Sequence, residues 1–147
     1  MKVAIACDHG GFLLKMAMIS HLSSDRFQIV DLGCFNENSV DYPDYAFLVS
    51  EAVASGEFTF GLLICTTGIG VSICANKVHG IRCALCTNEV MAEMSRRHND
   101  ANVLALGAKI VDEALALRIA ERFFCTSFEN GRHSRRVDKI SNYQNKC

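Results

Sequence analysis

The chain has 147 residues, which suits one domain with its own hydrophobic core. Half of its residues are hydrophobic, which excludes a disordered chain, and its 15 Lys and Arg balance 16 Asp and Glu, which excludes a chain-wide basic surface for nucleic acid. The first residues lack a signal-peptide pattern, and no apolar run reaches the roughly 18 residues of a membrane span. We therefore expect a cytoplasmic protein without a membrane partner.

Stretches typical of strands and helices alternate along the whole chain, without a linker or an internal repeat. The predicted elements, in chain order, are a strand over 2–7, a helix over 11–23, a strand over 27–32, a polar loop over 33–42, a helix from Pro43 to about 56, a strand over 58–65, a helix over 70–77, a strand over 81–86, a helix over 88–97, a strand over 102–106, a helix over 112–124 and a polar helix over 132–143. Strands separated by helices of this length imply a parallel sheet, and continuous apolar strands imply helices on both faces. The prediction is one α/β domain over 1–147, doubly wound, with a five-stranded parallel sheet.

The eight cysteines do not indicate a disulfide scaffold, because the chain is long, apolar and without a signal. Its one C-x-x-C motif, Cys83 to Cys86, lies within a predicted strand, and no second pair completes a zinc site. Small buried hydrophobic residues are predicted at the cysteines of apolar segments, which are Cys7, Cys83 and Cys86 in strands and Cys74 and Cys125 in helices.

The segment 62–72 is the most informative one, because an apolar strand leads directly into a cysteine, two threonines and two glycines. Ligands of open α/β sheets bind outside the carboxyl ends of strands, so Cys65 brings a thiol to the usual place of chemistry. The glycines let backbone N–H groups approach a ligand, and the following helix start favours negative charge. A purely structural explanation also stands: Cys65 is an inert buried thiol, Thr67 caps the helix, and Gly68 and Gly70 relieve a tight turn.

Two further polar clusters lie near strand ends. Asp8 and His9 follow the first strand, whereas His98 and Asn99 end the helix that leads into the fifth strand. A loop that joins a helix to the next strand lies at the amino ends of the strands, whereas Cys65 lies at a carboxyl end. One subunit alone is therefore not expected to bring His98 to Cys65. Either the helix end reaches over the sheet or a second subunit supplies these residues. The structural alternatives are an N-cap at Asp8, a loop histidine at His9 bonding backbone carbonyls, and a helix C-cap at His98 and Asn99, with Asn99 left-handed.

The polar tail holds two arginines, Arg132 and Arg136, that are four residues apart and would share one helix face. Two guanidinium groups on one face suit a phosphate, which each can bind with two hydrogen bonds. The alternative is a solvated basic helix end.

With these residues in place, the chain resembles the family of ribose-5-phosphate isomerase B and the galactose-6-phosphate isomerase subunits. Seven segments in the family's order carry the resemblance: Cys7-Asp8-His9-Gly10-Gly11-Phe12, Asp41-Tyr42-Pro43-Asp44-Tyr45, Cys65-Thr66-Thr67-Gly68-Ile69-Gly70, Ala75-Asn76-Lys77, Gly80-Ile81-Arg82, His98-Asn99-Asp100-Ala101-Asn102-Val103-Leu104, and Gly131-Arg132-His133 with Arg136. One position departs from the pattern, because Thr66 stands where the family usually has glycine. A threonine there would be strained if the position required a positive φ.

The resemblance implies a Rossmann-like enzyme without metal or cofactor, which forms homodimers or dimers of dimers through a C-terminal helix that reaches the partner. It implies an aldose–ketose isomerase of D-ribose 5-phosphate and D-ribulose 5-phosphate, with Cys65 as the base, His98 opening the sugar ring and Thr67 assisting. The substrate-binding residues that it implies are Asp8, His9, Tyr42, Thr66, Gly68, Ile69, Gly70, Val71, Ser72, Asn99, Arg132 and Arg136.

Three other functions stay open at this point. A six-carbon sugar phosphate, such as allose or galactose 6-phosphate, would use the same machinery. A receiver or nucleotide-binding module would need an aspartate in place of Cys65, or a G-x-G-x-x-G motif after the first strand, where Asp8 to Gly11 breaks that spacing. A thiol redox protein would need a second cysteine near Cys65 in space.

Overall fold

Strands and helices alternate in the computed structural model, which describes residues 1–144. The strands are β1 (Lys2–Cys7), β2 (Gln28–Asp31), β3 (Phe60–Cys65), β4 (Cys83–Leu85) and β5 (Val103–Gly107). The α-helices are α1 (Phe12–Leu22), α2 (Tyr42–Ala54), α3 (Ile69–Ala75), α4 (Glu89–Asn99), α5 (Glu113–Cys125) and α6 (Ser134–Gln144), and short 3₁₀ turns cover His9–Gly11 and Gly131–His133. The predicted α/β fold with a five-stranded parallel sheet is confirmed, although β4 is shorter than the predicted strand.

The five strands are all parallel and lie in the order β2-β1-β3-β5-β4. The chain passes from β1 to β2 on one side and returns to β3 on the other, so the strand order reverses between β1 and β3. Cys7 pairs with Ile64 at the carboxyl end of these two strands. In doubly wound sheets the ligand crevice lies at such a reversal, and here Asp8 and Cys65 border it.

Helices cover both faces of the sheet, which explains the continuous apolar strands. One layer joins residues such as Ile5, Ile64 and Leu106 to α1 and α5, where Met18 and Phe123 are fully buried. The other layer joins strand residues to α2 and α3. Burying one such large apolar side chain contributes about 1.5–3 kcal/mol, so both layers stabilise the sheet. The Cys65 side chain belongs to the α2/α3 layer.

Helix boundaries follow the predicted capping residues in part. The Asp112 carboxylate accepts the Leu115 N–H at 2.8 Å, and Pro43 lies in the first turn of α2, both as predicted. The left-handed residue after α4 is Asp100, with φ 47°, and not Asn99, which is the last helical residue. Asp100 pairs with two guanidinium groups, which explains this correction, because the ion pairs hold Asp100 in the turn.

The C-terminal segment forms a 3₁₀ turn before the helix, so Arg132 lies in the turn and only Arg136 lies in α6. The prediction that both arginines lie on one α-helix is therefore wrong. Val137 is the one buried residue of α6 within the described chain. Between α6 and β4 runs a groove of about 680 Å³, lined by Asn76, Ile81, Arg82, Cys83, Ala84, Ser95, Asn99, Ala101, Lys139, Ile140, Tyr143 and Gln144.

Over residues 1–144, none of the helices combines the length and the hydropathy that crossing a bilayer would require.

Candidate active site

The Cys65 thiol ends β3 and is only 5% exposed. The Gly68 N–H donates to its sulfur at 3.1 Å, which fixes the thiol at the start of the β3–α3 loop. Gly68 has φ 78°, and a Cβ there would lie 2.5 Å from Leu85 Cδ1 and 2.9 Å from the Leu106 carbonyl carbon. Only glycine combines this left-handed backbone with such close packing, so Gly68 is required for the N–H to reach the sulfur.

The first turn of α3 lies beside this thiol. Ser72 donates its N–H to the Gly68 carbonyl at 3.1 Å, and Ile69 donates its N–H to the Thr67 hydroxyl at 3.4 Å. The Ser72 N–H is therefore used within the helix. Across residues 1–144, the N–H groups of Gly70 and Val71 have no protein acceptor, so they remain available to an anion.

Thr66 has an unstrained backbone, because the non-glycine residues with positive φ in the described chain are Asp100 and Asn130. The strain that a threonine would suffer at a positive φ does not arise. The Thr66 carbonyl accepts the Lys109 N–H at 3.0 Å, which anchors this loop to the end of β5.

Asp8 and His9 face Cys65 across the reversal. Asp8 is 7% exposed, and its Oδ1 accepts the Gly11 N–H at 3.1 Å, so it caps the 3₁₀ turn and keeps a second oxygen for a ligand. The Val40 N–H donates to His9 Nδ1 at 3.3 Å. That bond assigns the proton to Nε2, and the exposed His9 ring can then donate to a ligand through Nε2.

Tyr42 reaches the same crevice from the start of α2 and is 39% exposed. Its ring packs on the first turn of α3, because a Cβ at Gly70 would lie 2.8 Å from the ring carbons. The structure thus brings together the predicted residues of β1, α2, β3 and α3, which are Asp8, His9, Tyr42, Cys65, Thr66, Thr67, Gly68, Ile69, Gly70, Val71 and Ser72.

His98 belongs to a second cluster, at the end of α4. Its ring stacks on that of His133, with centroids 4.2 Å apart and planes 6° from parallel. Glu129 Oε2 lies 3.6 Å from His98 Nε2 and 3.5 Å from His133 Nε2, and Arg97 pairs with the other oxygen of Glu129. The hydrogen bonds from Arg97 lower the pKa of Glu129 below its ordinary value. Glu129 is therefore an anion between cationic and titratable groups.

The tail arginines border this second cluster. Arg132 Nε donates to His133 Nε2 at 3.4 Å. Burial of His133 lowers the pKa of its imidazole, and the nearby charges of His98, Arg132 and Arg136 lower it further. Both arginines thus lie close to His133 although they are not on one helix, and the cluster offers several donors to an anion.

His98, Glu129 and His133 also form a set of potential metal ligands, with all ligand atoms within 4.8 Å of one another. Two imidazoles coordinate one ion only when the ion lies near the plane of both rings, and stacked parallel rings share no such point. Arg132 donates a hydrogen bond to His133 Nε2, which is one of the potential ligand atoms, and Arg97 forms an ion pair with the Glu129 carboxylate. This geometry suits an anion better than a cation.

The two clusters lie at opposite edges of the sheet. Cys65 pairs with Gly107 at the carboxyl end of β5, whereas α4 ends at Asn99, just before β5 begins at Val103. His98 and Asn99 are therefore remote from Cys65 within one chain, as the sequence predicted. A site that contains both requires a second chain.

Within residues 1–144 every cysteine, including Cys65, is a free thiol. Burial raises the pKa of Cys86 to about 11 and raises that of Cys83 still further, so both are protonated near neutral pH. Burial raises the pKa of Cys74, and the nearby Cys65 thiol raises it further. Cys7 and Cys86 are buried as predicted, whereas Cys74 and Cys83 are only partly buried and Cys125 is exposed.

A model of the Ribose/Galactose Isomerase family matches residues 3–140 of this chain. The chain belongs to the ribose/galactose isomerase family. A relative named putative sugar phosphate isomerase from Bacillus subtilis is 49% identical, with 99% of each chain covered. Ribose-5-phosphate isomerase B of Escherichia coli is 44% identical over 95% of this chain and 94% of its own.

Solved structures of the ribose/galactose isomerase family agree with the fold. Ribose-5-phosphate isomerase B of Clostridium thermocellum superposes with a TM-score of 0.97 at 49% identity, covering 99% of both chains. The Mycoplasma genitalium enzyme of that name, solved with bound ribulose-5-phosphate, gives a TM-score of 0.94 at 41% identity over 99% of this chain and 97% of its own.

Two residues of the second cluster, Glu129 and His133, were not predicted as site residues. Their spacing of four residues is a weak signal, because Glu129 precedes the 3₁₀ turn and no helical pattern joins them. The stacking of His133 on His98 depends on tertiary structure that the sequence does not show.

Proposed function

We propose that this protein is an aldose–ketose isomerase that interconverts D-ribose 5-phosphate and D-ribulose 5-phosphate, a step of the non-oxidative pentose phosphate pathway. Membership of the ribose/galactose isomerase family supports an isomerase of sugar phosphates. The 41% identical relative solved with ribulose-5-phosphate supports the five-carbon substrate.

The observation that carries the proposal is the Cys65 sulfur at the strand reversal, held by the Gly68 N–H beside free backbone donors. In this mechanism the Cys65 thiolate takes the proton from C2 of the open aldose and later delivers it to C1, while the hydroxyl proton of O2 passes to O1. The enediolate between these steps carries negative charge on oxygen. In the proposed mechanism the N–H groups of Gly70 and Val71 bind that oxygen, and one such donor lowers the activation free energy by about 3 kcal/mol.

The remaining roles need two subunits. His98 opens the ring by moving a proton between the ring oxygen and the anomeric hydroxyl, and Asn99 binds the enediolate beside it. Because His98 lies at the far edge of its own sheet, the His98 that serves one Cys65 comes from a second copy of the chain. The proposed assembly is a homodimer, or a dimer of dimers, in which α6 contacts the partner. The groove beside α6, with Tyr143 70% exposed and Ile140 46% exposed, offers apolar surface for that contact.

Substrate recognition is divided in the same way. Asp8 accepts hydrogen bonds from sugar hydroxyls through its free oxygen, and His9 donates Nε2–H to the phosphate. Arg132 and Arg136 add charge-assisted bonds to that phosphate from the second cluster. Thr67, at the start of α3, assists the reacting end, and Tyr42 lines the crevice.

A six-carbon sugar phosphate is the second candidate, because the matching family model covers both ribose and galactose isomerases. Turnover of ribose 5-phosphate, allose 6-phosphate and galactose 6-phosphate, measured side by side, decides between them. We expect ketose formation from ribose 5-phosphate with the highest kcat/KM.

The test of the thiol compares Cys65→Ala with Cys125→Ala, a matched change at an exposed cysteine. We expect Cys65→Ala to abolish exchange of the C2 proton with solvent deuterium while ribose 5-phosphate still binds, because the base is lost and the donors remain. Cys125→Ala should keep wild-type turnover. Near-normal turnover in Cys65→Ala would remove the thiol from the mechanism, and a wild-type protein inactive on all three sugars would refute the proposed function.

A further inference from the structure

Thr66 lies between the thiol loop and the Asp8 turn. Its carbonyl accepts the Lys109 N–H at 3.0 Å, and the preceding carbonyl of Cys65 accepts the Ala108 N–H at 2.8 Å. These bonds hold the backbone of the loop against the end of β5. The Thr66 side chain lies toward β1, where it meets Gly10.

The contact with Gly10 shows where the hydroxyl lies. A Cβ added at Gly10 would overlap Thr66 Oγ1 and would lie 3.5 Å from Thr66 Cβ and 3.3 Å from Asp8 Oδ1. Thr66 and Asp8 therefore form one continuous part of the crevice wall. Glycine at position 10 leaves the room that the threonine side chain fills.

The Thr66 hydroxyl is available to a ligand. Asp8 Oδ1 accepts the Gly11 N–H, whereas the Thr66 hydroxyl makes no hydrogen bond to protein within residues 1–144. Thr66 is only partly buried, and Cys65 precedes it in the chain. A hydroxyl with a free donor and free lone pairs, next to a carboxylate, suits a sugar hydroxyl.

We propose that Thr66 is a specificity-determining residue, which binds a sugar hydroxyl together with Asp8 and narrows the crevice against sugar phosphates with a sixth carbon. The inference rests on the proposed function, since it concerns the same site. The proposal assigns two effects to the Thr66 side chain. Its Oγ1 makes the hydrogen bond to the sugar, and its bulk limits the length of the substrate.

Three variants separate these parts. Thr66→Val keeps the shape and removes the hydroxyl, so kcat/KM for ribose 5-phosphate should fall about tenfold while the preference for five carbons stays. Thr66→Ser keeps the hydroxyl and removes the methyl group, so kcat/KM for ribose 5-phosphate should fall less than in Thr66→Val, and the preference should move part of the way toward six carbons. Thr66→Gly removes both.

The decisive quantity is the ratio of kcat/KM for allose 6-phosphate to kcat/KM for ribose 5-phosphate. We expect Thr66→Gly to raise this ratio at least about tenfold, because space for one extra carbon unit changes discrimination on this scale. The control Thr59→Gly, at an exposed threonine before β3, should leave the ratio unchanged. An unchanged ratio in Thr66→Gly, or an unchanged kcat/KM in Thr66→Val, overturns the proposal.

Failure of the proposed function gives a different result. If the wild-type protein isomerises neither sugar, calorimetric binding of ribose 5-phosphate and allose 6-phosphate to the wild type and to the variants still measures size selection. A ratio of dissociation constants that does not change in Thr66→Gly then overturns the inference. If Thr66→Gly does not fold, as judged by circular dichroism, Thr66→Ser and Thr66→Val carry the test.

Discussion

Lys15 is a charged residue with no exposed surface, and it ties α1 to the loop that follows β2. Its Nζ donates to both oxygens of Asp31, at 2.6 and 2.7 Å, and to the Cys34 carbonyl at 2.6 Å. The same loop continues to Val40, which holds His9. We therefore expect this ion pair to stabilise both the fold and one wall of the candidate site.

The two partners differ in exposure, and this difference sets the magnitude. Asp31→Asn leaves a fully buried ammonium without a counter-charge, whereas Lys15→Met leaves a carboxylate whose side chain is 26% exposed. Breaking a buried ion pair costs about 3–5 kcal/mol, so Asp31→Asn should lie at the upper end of that range and Lys15→Met at the lower end. The control Lys2→Met breaks a surface pair with Glu57 and should cost about 1 kcal/mol or less.

Urea unfolding followed by circular dichroism, at one fixed protein concentration, measures these free energies of unfolding. The expected order of destabilisation is Asp31→Asn, then Lys15→Met, then Lys2→Met. A cost for Asp31→Asn no greater than that for Lys2→Met would refute the reasoning about burial.

Three further predictions concern the second cluster. His98→Asn should slow isomerisation of ribose 5-phosphate strongly but affect proton exchange from ribulose 5-phosphate far less, because the ketose does not close a ring through its C5 oxygen; equal losses in both assays would give His98 another role. Arg136→Ala should raise KM about ten- to a hundredfold with little change in kcat, whereas Arg135→Ala on the same helix should not, in steady-state kinetics. Glu129→Gln should lower the pKa of His133 further and His98→Asn should raise it, because the carboxylate favours the imidazolium and His98 opposes it; titration followed by NMR checks both directions.

Much of the fold could be predicted, because strand and helix patterns dominate the sequence of this domain. The buried strand that ends in Cys65 and the capping residue Asp112 are both where local pattern places them. Local pattern does not predict the backbone conformation where ion pairs determine it. The left-handed residue after α4 is Asp100, which pairs with two arginines, and not Asn99. Local pattern fails again at Arg132, which lies in a 3₁₀ turn before α6.

The candidate site could be predicted only in part, for a related reason. Residues next to strand ends, such as Asp8 and Cys65, follow from topology once the strands are known. His133 and Glu129 meet His98 through tertiary contacts between distant segments, which leave no periodic signal in the sequence.

The central claim is that each active site combines Cys65 of one chain with His98 of another. It is tested by a purified heterodimer of Cys65→Ala and His98→Asn chains, with different affinity tags and its composition verified by native mass spectrometry. In a shared site one of the two sites keeps both groups, so the heterodimer should recover about half of the wild-type kcat for ribose 5-phosphate although each parent homodimer is inactive. A verified heterodimer as inactive as its parents would place both groups in one chain and contradict the account.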